Sequence, residues 1–268
     1  MTSSWLLITA GFGSSEMEGA ALRVKKQAES LGLLDQVTAI TTKDLATACP
    51  LVYEKYSQYL DPSHKGYGYF SWKVELVYGA LHGYFGDFDG VIWVDAGCEI
   101  FSTPWTRARL KRWMRRTEKT GTFLYTLDTP EQDFTKSLAF EEFPKLDASD
   151  RSPQVQATWF MLHGKIGREI TEKWLEVSLK DIALLYLSPR PKGEVSTFVE
   201  HRNEQSILSL TTKSKDVTPS EYFPMPGGTI LGSFLQSIHH PIWVSRNRQS
   251  TSSIPSNVFM RIVSWKKP

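Results

Sequence analysis

Cysteine is scarce in this chain, with only Cys49 and Cys98 among 268 residues. Two thiols make no disulfide framework, and neither lies in a Cys-x-x-Cys or Cys/His cluster of metal-ligand spacing. A reducing compartment is therefore the default. Long apolar runs are also missing; none approaches the roughly 18 residues of a membrane span. The opening Met-Thr-Ser-Ser-Trp-Leu-Leu-Ile-Thr-Ala-Gly has neither the positively charged start nor the long apolar stretch of a secretory signal, so a cytoplasmic location is expected. An excess of one charge is absent too. The 31 basic and 29 acidic residues leave a net charge of +2, which argues against a dedicated nucleic-acid binder, and no nucleic-acid partner is expected. Without an internal repeat or a dividing linker, residues 1–268 read as one domain.

What is present suits a soluble globular protein: 41% apolar and 22% charged residues, in a length that fits one large α/β domain. The apolar run Ser4 to Ala10 ends in Gly11-Phe12-Gly13 and leads into a helical stretch from Glu16 to about Leu31: strand, glycine turn, helix. A second strand is predicted over Gln36 to Thr42, a helix over Trp72 to Gly83, and a strand over Val91 to Val94. Ser102-Thr103-Pro104 reads as a cap and first turn of a helix running to about Lys119. Strands follow at Phe123 to Leu127 and Val155 to Leu162, then helices from Ile166 to Leu185 and from His201 to Leu210. This alternation predicts a mostly parallel sheet with both faces covered. The stretch 129–153 reads as an irregular surface excursion beside the site, and the region from about residue 219 shows little periodicity.

Three features could carry chemistry. Asp95 follows four apolar residues, so it belongs at the carboxyl end of a buried strand, the edge where open α/β sheets bind ligands. A carboxylate there could hold a ribose hydroxyl or a divalent cation, or it could cap a turn. Lys73 shares a helix face with Leu76, Val77, Ala80 and Leu81, a cation on a buried stripe in the first turn, where the helix dipole disfavours it. A bound anion would relieve both penalties; snorkelling of the amine would relieve one. His201 to Ser206 sets six polar residues ahead of Ile207 and Leu208. They suit the hydroxyls of a sugar, and equally an exposed helix start with Asn203 as cap and Glu204 as a first-turn charge.

Taken together, Gly66-Tyr67-Gly68-Tyr69-Phe70-Ser71-Trp72-Lys73, Asp95-Ala96-Gly97-Cys98-Glu99, Gln154 to Phe160 and His201 to Leu210 resemble, in order, the motifs of a family of glycosyltransferases from polysaccharide-synthesis loci. The order resembles more distantly the retaining GT-A transferases of the glycogenin and bacterial galactosyltransferase group. The resemblance implies a GT-A-like fold, a nucleoside-diphosphate-sugar donor and a glycan or lipid-linked glycan acceptor. It departs from the family at Val74, where proline is common, at Glu204, where aspartate is usual, and at Gly97, where the distant group has the second aspartate of Asp-x-Asp.

By that resemblance, Thr9, Ala10, Gly11 and Phe12 cradle the nucleotide and Lys73 neutralises the diphosphate. Asp95, Ala96 and Gly97 hold the ribose or a cation, and Trp72, Gln156, Ala157, Thr158, His201 and Arg202 line the sugar. Glu204 and Gln205 are the catalytic candidates. A magnesium or manganese ion would fall to Asp95, with Glu99 and His239 as substitute ligands, or the cation is absent. Two other readings stay open: a non-catalytic nucleotide- or glycan-binding module, and a phosphoryl-transfer enzyme using Asp95 as nucleophile. Separately, seven cations between Arg107 and Lys119 crowd one predicted helix, which suggests a solvated face or a peripheral contact with the inner face of a membrane.

Overall fold

The computed structural model describes residues 3–186, 194–222 and 240–251. Five strands form the central sheet: β1 Trp5–Ala10, β2 Gln36–Ile40, β3 Gly90–Val94, and further along the chain Thr122–Phe123 and Trp159–His163. Between β3 and these last two lies the two-residue β4 Glu99–Ile100, so the remaining members are β5 (Thr122–Phe123) and β8 (Trp159–His163). The sheet order is β2-β1-β3-β8-β5. β1 pairs in parallel with β2 and β3, while β8 runs antiparallel to both β3 and β5. Four of the five strands therefore share one direction, the mostly parallel α/β sheet expected from the sequence.

Alternation within the strands divides the core between two faces. Leu6, Ile8, Val91, Trp93, Phe160 and Leu162 point to one side, and Leu7, Ile92, Val94, Trp159 and Met161 to the other. The second face is covered by α1 Ser15–Glu29, capped by the Ser14 hydroxyl, and by the helix Pro104–Thr120. The first is covered by the helices Ser71–Leu81, Gly164–Ser178 and Asn203–Ser214. In chain order these are α2 (Ser71–Leu81), α3 (Pro104–Thr120), α4 (Gly164–Ser178) and α5 (Asn203–Ser214). The predicted cap at Thr103 is present: its hydroxyl accepts from the Thr106 amide, with Pro104 in the first turn and Gly121 at φ 79° ending the helix.

Several expectations change in the tertiary structure. α2 is buried around nearly its whole circumference rather than along one stripe, because α4, α5 and the short helix Pro50–Tyr56 pack on it. Even Glu75 is fully buried; its carboxylate accepts from the Leu51 and Val52 amides at 2.9 and 2.7 Å, satisfying the start of that short helix. α4 ends at Ser178 rather than Leu185, because Asp181 caps a separate turn at Ile182–Leu184. The strand expected over Val155 to Leu162 breaks in two. Pro153–Val155 (β7) joins a second sheet with Tyr125–Pro130 (β6) and Glu221–Tyr222 (β9), and Gln156 to Thr158 bridge the two sheets. The excursion at 129–153 is anchored rather than loose. It holds two short helices, Glu131–Phe134 and Ser137–Phe140, and buries Glu131 against Ser209 and Lys213 of α5. Beyond residue 219, β9 and Ile242–Trp243 (β10), the latter paired with β4, are the described strands.

Candidate active site

The site is assembled where β3 ends. Asp95 leaves the strand with its amide bonded to the Thr158 carbonyl at 2.8 Å, and its own carbonyl accepts from Cys98 to close a turn. Gly97 and its neighbours in that turn are fastened by Arg23, whose guanidinium donates to the carbonyls of Ala96 and Cys98 at 2.8 Å each. Arg23 was not among the sequence candidates. The signal that singled out Lys73 was there: Arg23 lies on the buried stripe of α1 with Ala20, Val24 and Ala28.

Lys73 is delivered by an unusual stretch of backbone. Gly66, Tyr67, Gly68, Tyr69 and Phe70 have φ values of 63°, 56°, 95°, 56° and 61°, a left-handed turn containing three aromatic residues. Each non-glycine residue held there costs roughly 1–2 kcal/mol, and such strain persists only where surrounding structure imposes it. Here Trp72 donates its indole N–H back to the Gly66 carbonyl at 2.9 Å. The turn sends Tyr67 against Phe12, ring centroids 5.8 Å apart, and Tyr69 against Tyr186 at 5.0 Å. Phe70 comes to rest 5.3 Å from the Lys73 ammonium.

That ammonium lies between two carboxylates. Nζ is 2.9 Å from Asp95 Oδ1 and 2.7 Å from Glu204 Oε1, and 3.4 Å from the Ala157 carbonyl. The Trp93 ring is 5.4 Å away, and its indole N–H donates to Asp95 Oδ1 at 2.7 Å. Four sequence stretches thus meet at one ion-paired centre. Burial alone would lower the Lys73 pKa, but Asp95 and Glu204 outweigh it and hold the amine above its ordinary value. For Glu204 burial dominates, and with Asp95 as a like-charged neighbour the pull of Lys73 does not fully offset it; the carboxyl stays above its ordinary value. One ammonium between two carboxylates leaves a formal net charge of minus one, so Lys73 presents no free cation to a diphosphate. The trio also differs in access: the Asp95 side chain is 32% exposed, those of Lys73 and Glu204 only 3% and 6%.

Gln205 fixes the far side of the centre. Its Oε1 accepts from the Ala157 amide at 3.2 Å and its Nε2 donates to Gln154 Oε1 at 2.8 Å, which explains why the strand breaks here: the Ala157 N–H goes to a side chain instead of a neighbouring strand. Gln156 is buried with Oε1 unpartnered among the described residues, and Thr158 is half-buried. Arg202 lies over Phe134 at 3.7 Å and reaches Gln154 and Thr129. His201 is buried, its Nε2 paired with the Leu184 carbonyl at 2.8 Å; burial pushes its pKa down to about 3, so the ring is neutral. Asn203 is not a helix cap: at φ 50° it opens α5, and its amide donates to Leu185.

At the end of β1, Thr9, Ala10, Gly11 and Phe12 are all buried. A Cβ on Gly11 would lie 2.0 Å from the Met17 carbonyl oxygen, so glycine is needed for α1 to pack this close. Glu99 is fully buried, with Oε1 accepting from Asn247 at 3.2 Å. Among the described residues no three His, Cys, Asp or Glu side chains converge as a metal-binding group; His239 lies outside the described residues. The residues described therefore do not form a closed cation site. Among them, no helix is long and apolar enough to cross a membrane.

No protein-family model matches the chain, and no curated protein matches it in sequence. Among solved structures it is similar to the apo form of mouse xyloside xylosyltransferase 1, at 13% identity and a TM-score of 0.44, covering 81% of this chain and 84% of that one. It is also similar to a glycosyltransferase involved in the glycosylation of the major capsid of PBCV-1, at 10% identity and a TM-score of 0.42, covering 89% and 91%.

Proposed function

We propose that this protein is a GT-A-like glycosyltransferase that moves a sugar from a nucleoside-diphosphate-sugar to a hydroxyl of a glycan or glycolipid acceptor. The observation that carries the reading is the meeting of Lys73, Asp95 and Glu204 at the carboxyl edge of the parallel strands, where open α/β sheets take their ligands. These residues belong to three of the stretches that resemble the transferase motifs.

Access divides their roles. Asp95 faces the ligand: Lys73 and Trp93 hold Oδ1 from behind, leaving the exposed side of the carboxylate to accept from a ribose hydroxyl. Lys73 and Glu204 are positioning residues, since a buried ion pair fixes the Asp95 carboxylate before the donor arrives. Gln205, half-buried at the start of α5, fixes the Ala157 backbone along the edge of the sugar site. With Gly97 in place of a second carboxylate, a divalent cation would have to arrive with the diphosphate.

A panel of nucleoside-diphosphate-sugars, assayed for binding and slow donor hydrolysis, tests the reading. Sugar-dependent turnover that Asp95→Asn abolishes supports it. Binding without turnover by any donor or acceptor overturns it in favour of a binding module; phosphatase activity indifferent to the sugar overturns it in favour of phosphoryl chemistry.

A further inference from the structure

The outer face of α3 carries five cations without a counter-charge among the described residues. Arg107, Lys111, Arg112, Arg115 and Lys119 are all exposed, and none has an ion-pair or hydrogen-bond partner among the described residues. Residues 1–2, 187–193, 223–239 and 252–268 contain no aspartate or glutamate. Elsewhere several surface lysines are matched, Lys25 with Glu29, Lys65 with Glu200, Lys165 with Glu169, Lys173 with Glu176, and the exposed lysines without an ion pair among the described residues, such as Lys26, Lys43 and Lys145, are scattered over separate elements. Glu118, the acidic residue of α3, accepts from the Trp5 indole.

Spacing sharpens the contrast. Residues 107, 111, 115 and 119 stand four apart, so they form one ridge about 18 Å long, and like charges at this spacing repel and weaken a helix. The apolar side of α3 gives no alternative use for the helix, because Leu110, Trp113 and Met114 are committed to the core. At its amino-terminal end Trp105 is 70% exposed, more than any other large apolar side chain among the described residues. β3 and β5 run in the same direction, so α3 between them returns from the sheet edge that carries Asp95. Trp105 therefore lies at that edge.

We infer that this face of α3 docks on an anionic lipid bilayer, with the cationic ridge over the headgroups and the Trp105 indole in the interface. A flat row of cations matches a surface of like phosphates, and an exposed indole at one end suits the headgroup layer, where tryptophan concentrates. The helix lies on the surface and does not insert, since its apolar side is already packed. The inference is independent of the transfer reaction.

Co-sedimentation of the full chain with vesicles tests it. Binding is expected to vesicles of phosphatidylcholine mixed with phosphatidylglycerol and not to phosphatidylcholine alone, and should be lost between about 0.1 and 0.5 M salt as screening shortens. Lys111→Gln with Arg115→Gln should weaken partitioning roughly 25-fold, at about fivefold per charge, and Trp105→Ala should weaken it while removing a lipid-dependent blue shift in fluorescence. Lys25→Gln with Lys165→Gln, two matched lysines elsewhere, should change nothing. Equal binding to both vesicle types, no binding to either, equal weakening by both double variants, or duplex DNA displacing the protein from vesicles at low stoichiometry would each overturn the assignment.

Discussion

Lys73 Nζ stands 2.7 Å from Glu204 Oε1, across 131 positions of sequence, with both side chains buried. Removing one member of a buried pair strands the other charge, at a cost of about 3–5 kcal/mol. Lys73→Met should therefore lower unfolding free energy by about that much in urea titration. The double variant Lys73→Met with Glu204→Leu should recover most of the loss. A single variant as stable as the native chain would mean that the pair is not formed in solution.

Glu204→Gln keeps size and the helix start but loosens the hold on Lys73 and, through it, on Asp95. Donor affinity should change little, while turnover should fall about a hundredfold, the order expected when a positioning group moves by about 1 Å. Loss of affinity in proportion to turnover would instead place Glu204 on the sugar. Native turnover and affinity would leave Glu204 as a favourable first-turn charge.

His201 sets a pH dependence of stability. Its pKa falls from 6.5 to about 3 on folding, so below pH 6.5 the unfolded chain takes up a proton that the native ring refuses. Stability should therefore be unaffected by this group above about pH 6.5 and should decline by up to about 1.4 kcal/mol per unit as pH drops toward 3. Comparing denaturation of the native chain and His201→Gln across that window isolates the contribution; identical slopes would show that His201 titrates normally.

Glycine positions differ sharply in what they tolerate. Gly11→Ala drives a Cβ to 2.0 Å from the Met17 carbonyl oxygen, and should cost about 3 kcal/mol, the upper end of ordinary overpacking. Gly83→Ala meets nothing within 4 Å and should cost only about 1 kcal/mol for its positive φ. Thermal unfolding of the two variants side by side checks the ranking.

Because Gly97 stands where a second carboxylate would be, manganese or magnesium should bind weakly to the free protein and more tightly once a nucleoside diphosphate is present, as magnesium commonly does. Calorimetric titration with and without nucleotide reads this directly. Tight manganese binding to the free chain would bring in Glu99 or His239.

The local signals in the sequence were sufficient for most elements. Apolar alternation in Trp5–Ala10 and Gly90–Val94, the Thr103-Pro104 cap and the glycine turn at Gly11-Phe12-Gly13 each depend on neighbours in the chain, so they are legible without the fold. The buried cation at Lys73 and the strand-end carboxylate at Asp95 were legible for the same reason. What the sequence left open was the partner. Lys73 read as a counter-charge for a ligand because periodicity shows which side of a helix is buried but not what lies across from it. Only the packing of α5 against α2 brought Glu204 to it. The left-handed turn at 66–70, the Arg23 clamp and the split of the strand at Gln156–Thr158 also came from tertiary structure. In each, contacts between residues far apart in sequence override the local backbone preference, and pairwise contact across a fold has no period to be read from one chain.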